Sequence, residues 1–296
     1  MKSRTDYKGA ISAIPTPFLN KQVDFESLKK MIEFQLKGGI CGFVVNGTTA
    51  ESPTLSWEEV EKIYKLVREI AGTRVPVIVG TGSNSTDDTV ETTQKAEKLG
   101  ADAALVVVPY YNKPPQRGLV AHFTEVATNA NLPIVMYNVP GRTITGMTAE
   151  TIAELTKVKN IFAIKEASGD IAFDEKLKPL VPADFVMLSG DDPTYPQFLK
   201  LGGSGVISVM SNVIPAECAR WYDMAQSGKW GELEADFGRY KKFISQMYLE
   251  ANPIPLKWIM YKMGLFKSPE MRLPLVALDS VHHEPLAGEM KTLGLI

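Results

Sequence analysis

Eight short runs rich in β-branched residues recur along the chain at intervals of about 20 to 35 residues, each followed by a stretch of helical periodicity. They are "GAISAI" from Gly9, "CGFVVN" from Cys41, "VPVIVG" from Val75, "AALVVV" from Ala103, "PIVMYN" from Pro133, "IFAIKE" from Ile161, "FVMLSG" from Phe185 and "GVISVM" from Gly205. Between them lie helix punctuation marks. Ser56 with Glu59 reads as a capping box, Asp192-Pro193 as a cap with a first-turn proline, and Gly38-Gly39, Gly72, Gly100 and Gly202-Gly203 as helix ends. Eight βα units in the first 225 residues predict an α/β fold, a (β/α)8 TIM barrel, whose usual size is ~250 residues. A doubly wound open sheet uses fewer strands and carries a Gly-rich fingerprint after the first, but the first strand here runs into "PTPF". Residues 226–296 show no strand-like run and read as a C-terminal helical region, broken by the prolines of "ANPIPLKW". The expected division is thus a catalytic barrel over 1–225 and helices over 226–296.

Bulk chemistry narrows the partners. A 45% hydrophobic content can bury a large core, while a net charge of -2 with interspersed signs offers no basic face for nucleic acid or an anionic membrane. The longest apolar runs fall far short of the ~20 residues that span a bilayer, and Asp6 and Lys8 stand where a signal peptide would be apolar. A cytoplasmic protein is expected. Cys41 and Cys218 have no partner at metal-ligand spacing and read as free thiols rather than a disulfide or a zinc site.

In such a barrel, chemistry sits where strands end. The sixth run ends in Lys165, followed at once by Glu166; the fifth ends in Tyr137-Asn138; the second runs into "NGTTAES". Side chains alternate along a strand, so if Phe162 and Ile164 face the helices, Ala163 and Lys165 face inward, as do Val135 and Tyr137 beside them. A lysine among apolar walls loses hydration, which favours the neutral amine. That amine can attack a ketone and form a Schiff base. The plainer alternative is a lysine projecting into solvent or paired with Glu166. Tyr137 could pass protons to the lysine or be a core aromatic. "GTTAES" offers hydroxyls and turn N–H groups, a nest for a small carboxylate or an ordinary loop. Arg142, five residues past Tyr137, suits a carboxylate or the open surface. "LGGSGVIS" suits phosphate binding or close backbone approach to a small ligand.

Taken in order, "AIPTPF", "GTTAESPTL", "VIVGTGSNST", "VVPYYNKP", "YNVPGRT", "AIKEASGD", "LSGDD" and "GVISV" resemble the pyruvate-dependent class I aldolases typified by dihydrodipicolinate synthase and N-acetylneuraminate lyase, and specifically the synthase branch. The resemblance covers essentially the whole chain. It implies that Lys165 forms the Schiff base with pyruvate, that Thr48 and Thr49 hold the pyruvate carboxylate, and that Thr49, Tyr137 and Tyr111 form a proton relay. Tyr111 would enter the site of a neighbouring subunit, implying a homo-oligomer, usually a tetramer built as a dimer of dimers. Arg142 would receive the carboxylate of aspartate semialdehyde, and the backbones of Gly190 and Ile207 would line the pyruvate pocket, so the glycines need no phosphate. The implied reaction condenses the two substrates on the way to diaminopimelate and lysine, and needs no metal or organic cofactor.

The chain departs from the family pattern at Ala50, where the family has glycine, and at Arg142-Thr143-Ile144, where it has Arg-Thr-Gly. The alternatives within and beyond the family are a lyase for a larger 2-keto acid, against which Arg142 speaks, and a barrel that binds without catalysing. Ser52, Trp57, Asn84, Asp88 and Tyr110 fall where the family's lysine-binding effector cleft lies. Asp88 is shorter than the glutamate often found there, and Val60 stands where some lysine-sensitive members have histidine.

Overall fold

The computed structural model of the chain describes residues 2–296. All eight runs are strands: β1 (Gly9–Ala13), β2 (Gly42–Val45), β3 (Val77–Gly80), β4 (Ala103–Val107), β5 (Ile134–Asn138), β6 (Ile161–Glu166), β7 (Val186–Ser189) and β8 (Gly205–Ser208). They close into a barrel in which each strand lies beside its successor in sequence and β8 lies beside β1, the expected (β/α)8 order. From β3 to β8 the pairings are parallel. Strands covered on both faces need continuous apolar runs, and β5 and β6 are buried at every position. The closing seam depends on glycine. Gly9 N donates to Ser204 O at 2.9 Å, and a Cβ on Gly205, at φ +149°, would lie 2.1 Å from Gly9 O.

The chain divides into two compact units. The first, residues up to Ile11 with Cys41–Val44 and Val75–Ser208, contains β3 to β8 whole, with the beginning of β1 and most of β2. Its helices Thr86–Leu99, Gln116–Thr128, Ala149–Leu155 and Ile171–Leu177 follow their strands as the βα pattern requires. The helix Tyr195–Lys200 begins later than the sequence suggests. Thr194 rather than Asp192 is its N-cap, and Asp191 Oδ2 takes the Thr194 N–H and hydroxyl in the loop before it.

The second unit, Ser12–Ile40 with Val45–Arg74 and Val209–Ile296, is helical. Phe25–Lys37 is capped by Asp24, which accepts from Glu26 N and Ser27 N, and Trp57–Ala71 carries the expected Ser56/Glu59 capping box. These two helices pack together, and Pro215–Gln226 approaches the first so closely that a Cβ on Gly38 would lie 2.5 Å from Pro215 Cγ. Past it come Trp230–Gln246, Ile254–Lys262 and His283–Thr292, the first two separated at "ANPIP" as the prolines demand. Trp221 anchors this packing: its rings meet Phe237 and Tyr240 edge-on at 4.9 and 5.4 Å, and its Nε1–H donates to Asp236 at 2.7 Å. A two-stranded hairpin, Phe18–Leu19 with Gln22–Val23, turns through Asn20 and Lys21, both at positive φ. Among the described residues no helix is long and apolar enough to cross a membrane.

Candidate active site

Lys165 lies one residue short of the end of β6, which runs on through Glu166. Its side chain is 6% exposed, and the strand register sets it between Tyr137 of β5 and Leu188 of β7. The register puts Tyr137 and Lys165 side by side on one face of the sheet. The Lys165 Nζ lies 4.3 Å from the Tyr137 ring centroid. Phe162 lies against Tyr7 of the N-terminal turn, ring centroids 4.7 Å apart. Gly190, just past β7, completes the surroundings: a Cβ there would come within 2.8 Å of Lys165 Cε and 2.5 Å of Ala167 Cβ. Only the absence of a side chain leaves the lysine its path. Ile207, on β8, is buried.

Glu166 faces away from this cluster and is committed elsewhere. Its carboxylate accepts from Asn138 Nδ2 at 2.6 Å and from Ser168 N at 2.5 Å, and burial, partly offset by these bonds, raises its pKa above the ordinary value. These contacts supersede the simple strand-end pairing of Lys165 with Glu166. Asn138 uses its other end as well, accepting Met147 N at 2.9 Å, and so ties the loop after β5 to the strand. Nearby on the helix Ile171–Leu177, Asp174 is buried and its pKa is raised to about 7, first by desolvation and then by the charges of Glu166, Asp170 and Asp191. Sequence reading missed this carboxylate, although an Asp on the inner side of "IAFDEKL" is a signal in itself.

The remaining first-unit candidates are on the surface. Arg142 is exposed on the short helix Pro140–Thr143, and the next turn is strained: Ile144 stands at φ +65° and is 71% exposed. Tyr111 is 85% exposed at φ +75° on the loop after β4, where Asn112 Nδ2 donates to Asn84 O at 2.7 Å. Tyr110 is 41% exposed, Asn84 half-buried, and Asp88 exposed in the first turn of Thr86–Leu99.

In the second unit, Thr48–Ala50 forms a single turn of 3-10 helix in which Thr49 is buried and Thr48 partly exposed. Thr16 Oγ1 donates to Ala50 O at 2.9 Å and Asn252 Nδ2 donates to Thr49 Oγ1 at 3.0 Å. Glu51, at φ +59°, is buried and paired with buried Lys257 at 2.6 Å, while its other oxygen accepts Arg272 N at 2.9 Å. Burial lowers the Lys257 pKa to about 8 against the opposing pull of Glu51. Lys257 and the Arg272 guanidinium both lie over the Phe18 ring, at 4.2 and 4.3 Å from its centroid. Ser52 and Trp57 are half-buried, and Val60 belongs to the buried face of Trp57–Ala71. Asn252, Lys257 and Arg272 were not singled out from the sequence. A lysine inside the apolar run "IPLKWIM" was the available sign.

Known proteins of this shape share the sequence as well. A 4-hydroxy-tetrahydrodipicolinate synthase of Bdellovibrio bacteriovorus is 49% identical over 98% of this chain and 99% of its own. A solved structure of a monomeric dihydrodipicolinate synthase variant superposes with a TM-score of 0.97 at 39% identity, covering 99% of each chain. The chloride-inhibited dihydrodipicolinate synthase of Acinetobacter baumannii, solved in complex with pyruvate, does so with a TM-score of 0.95 at 38% identity, over 98% of this chain and 99% of that one. The family model of the dihydrodipicolinate synthetase family matches residues 6–293, so the chain belongs to that family.

Proposed function

We propose that the protein is a 4-hydroxy-tetrahydrodipicolinate synthase, a Schiff-base aldolase that condenses pyruvate with aspartate semialdehyde in diaminopimelate and lysine biosynthesis. The observation that carries this reading is the buried Lys165 beside Tyr137, with Gly190 clearing its path. Lys165 Nζ adds to the pyruvate ketone carbon and water leaves, giving a protonated imine. Loss of a methyl proton gives the enamine, whose methylene carbon attacks the aldehyde carbon. The amine of the semialdehyde then displaces Lys165 by transimination and closes the ring.

Each proton in this sequence needs a nearby donor or acceptor. Tyr137, paired with Lys165 in the strand register, is our candidate for that group. On the resemblance to the family, we read Thr48 and Thr49 as holding the pyruvate carboxylate and Thr49, Tyr137 and a neighbouring subunit's Tyr111 as the proton relay. We read Arg142 as the group that receives the semialdehyde carboxylate, and the backbones of Gly190 and Ile207 as the lining of the pyruvate pocket. The exposure of Tyr111 and Arg142 fits roles that reach outward, one across a subunit boundary and one at the entrance. The same resemblance points to a cytoplasmic homo-oligomer, usually a tetramer built as a dimer of dimers, and to Ser52, Trp57, Asn84, Asp88 and Tyr110 as the lining of a candidate lysine effector cleft, whose sensitivity a lysine titration of the activity decides.

Borohydride reduction in the presence of pyruvate, followed by peptide mass spectrometry, tests the mechanism. A pyruvyl adduct confined to Lys165 and absent from Lys165→Ala is the expected result, with turnover then requiring aspartate semialdehyde rather than a sugar-derived aldehyde. An unmodified Lys165 overturns the reading.

A further inference from the structure

The turn Thr48–Ala50 is held by residues some two hundred positions later in the chain. Asn252 Nδ2 donates to Thr49 Oγ1 at 3.0 Å, and both residues are buried. Immediately beyond, Glu51 is fixed by the Lys257 ammonium group at 2.6 Å and by Arg272 N at 2.9 Å, and Thr16 Oγ1 holds Ala50 O at 2.9 Å. The turn is therefore secured by one contact to the Ala50 carbonyl and two to the Glu51 carboxylate, none of which involves Asn252. What Asn252 adds is a contact to the threonine hydroxyl itself.

A hydroxyl has one proton to give and lone pairs to receive with. An amide N–H pointed at Oγ1 occupies a lone pair and cannot take the hydroxyl proton. Thr49 is thereby left to donate in another direction. A donor is what a carboxylate ligand requires, since an ionised carboxylate only accepts.

We infer that Asn252 is a positioning residue for pyruvate binding: by donating to Thr49 Oγ1 it commits the Thr49 hydroxyl to act as a donor toward the substrate carboxylate. This rests on the carboxylate role proposed above for Thr49. Asn252 does not touch substrate, and its effect is read first on affinity for pyruvate.

Asn252→Asp tests the sense of the hydrogen bond while keeping the shape of the side chain, because an ionised carboxylate in place of the amide would accept the Thr49 proton and turn it away from the substrate. The pyruvate concentration giving half-maximal borohydride trapping on Lys165, and KM and kcat, are measured for the parent, Asn252→Ala and Asn252→Asp. Half-saturation rises about 10-fold in Asn252→Ala and about 100-fold in Asn252→Asp, as expected for weakening or losing a hydrogen bond to a charged group. The trapping half-saturation reads the effect on binding apart from kcat, which falls as well where the redirected hydroxyl no longer serves the relay with Tyr137. In a Thr49→Val background, Asn252→Asp has no further effect, because the hydroxyl it redirects is gone. Wild-type half-saturation in Asn252→Asp, equal losses in Asn252→Ala and Asn252→Asp that track lost thermal stability, or an undiminished Asn252→Asp effect in Thr49→Val each overturn the inference. Absence of any Lys165 adduct in the parent overturns instead the function proposed above, and this inference with it.

Discussion

Ile144 is a β-branched residue held at φ +65° and ψ -30° with its side chain 71% exposed, so little packing compensates its backbone strain. Positive φ is uncommon for any side chain and least tolerated by branched ones, at a cost of ~1–3 kcal/mol. The strain is held in place by neighbours: the Thr143 hydroxyl lies 2.7 Å from Thr145 O and 3.0 Å from Val139 O, with one proton for the two carbonyls, and Ile144 N donates to Pro140 O. The family pattern has glycine here, the residue for which that conformation is free. Ile144→Gly should therefore stabilise the protein by about 1 kcal/mol, after allowance for the greater freedom glycine gives the unfolded chain. Ile144→Ala, which removes the exposed apolar side chain but keeps a Cβ, should gain much less. Thermal unfolding of the two variants beside the parent makes the comparison, and equal gains would place the effect in surface hydrophobicity rather than in backbone strain. Gly190 shows the opposite case, a glycine required by its neighbours rather than by its own backbone, since the obstructing atoms belong to Lys165 and Ala167.

The helix Ile171–Leu177 carries Asp174 into the protein, where burial and the neighbouring acids raise its pKa to about 7. Between the ordinary value of 3.8 and about 7 the folded protein keeps a proton that the unfolded chain has lost. The folded state then binds more protons, so this group's contribution to stability falls as pH rises through that window and levels off above it. His122, on Gln116–Thr128, works the other way: burial lowers its pKa from 6.5 to about 4, so its contribution is whole above 6.5 and is lost as pH falls toward 4. Asp174→Asn removes one slope and leaves the other. The variant should be more stable than the parent by about 2 kcal/mol at pH 8, with a much smaller gain at pH 5. Chemical denaturation at the two pH values measures this, and a gain of equal size at both would mean that ionisation is not its source. At this scale the sequence is most legible where local pattern decides structure. The eight strands could be read because an apolar, β-branched run needs no distant partner to be recognised, and Lys165 stood out because it interrupts one. The hairpin around Asn20-Lys21 was missed because two-residue strands carry no period. The anchors of the "TTAES" turn were missed for a different reason. Lys257 is conspicuous in "IPLKWIM", but only folding reveals that its partner is Glu51.

The active protein is an assembly if Tyr111 serves a site on another subunit. Within one chain this tyrosine is 85% exposed at φ +75°, an arrangement that solvent alone gives no reason to maintain. In a dimer with two-fold symmetry, each subunit would lend its Tyr111 to the lysine of the other, and the loan is reciprocal. Tyr111→Phe and Lys165→Ala would each inactivate a homo-oligomer, the first by breaking the proton relay and the second by removing the nucleophile. A mixed dimer differs. The Tyr111→Phe subunit keeps Lys165 and receives an intact tyrosine from its Lys165→Ala partner, so one of the two sites is whole. Random reassortment of equal amounts makes about half of the dimers mixed and should restore about a quarter of the parental activity. The two inactive variants are mixed, dissociated and reassembled together, and turnover is compared with that of each variant treated alone. Recovery with separately tagged subunits co-purifying in the active fraction establishes the shared site. No recovery despite demonstrated mixing places the relay tyrosine within a single chain, and would match the monomeric state of the variant whose structure superposes on this one.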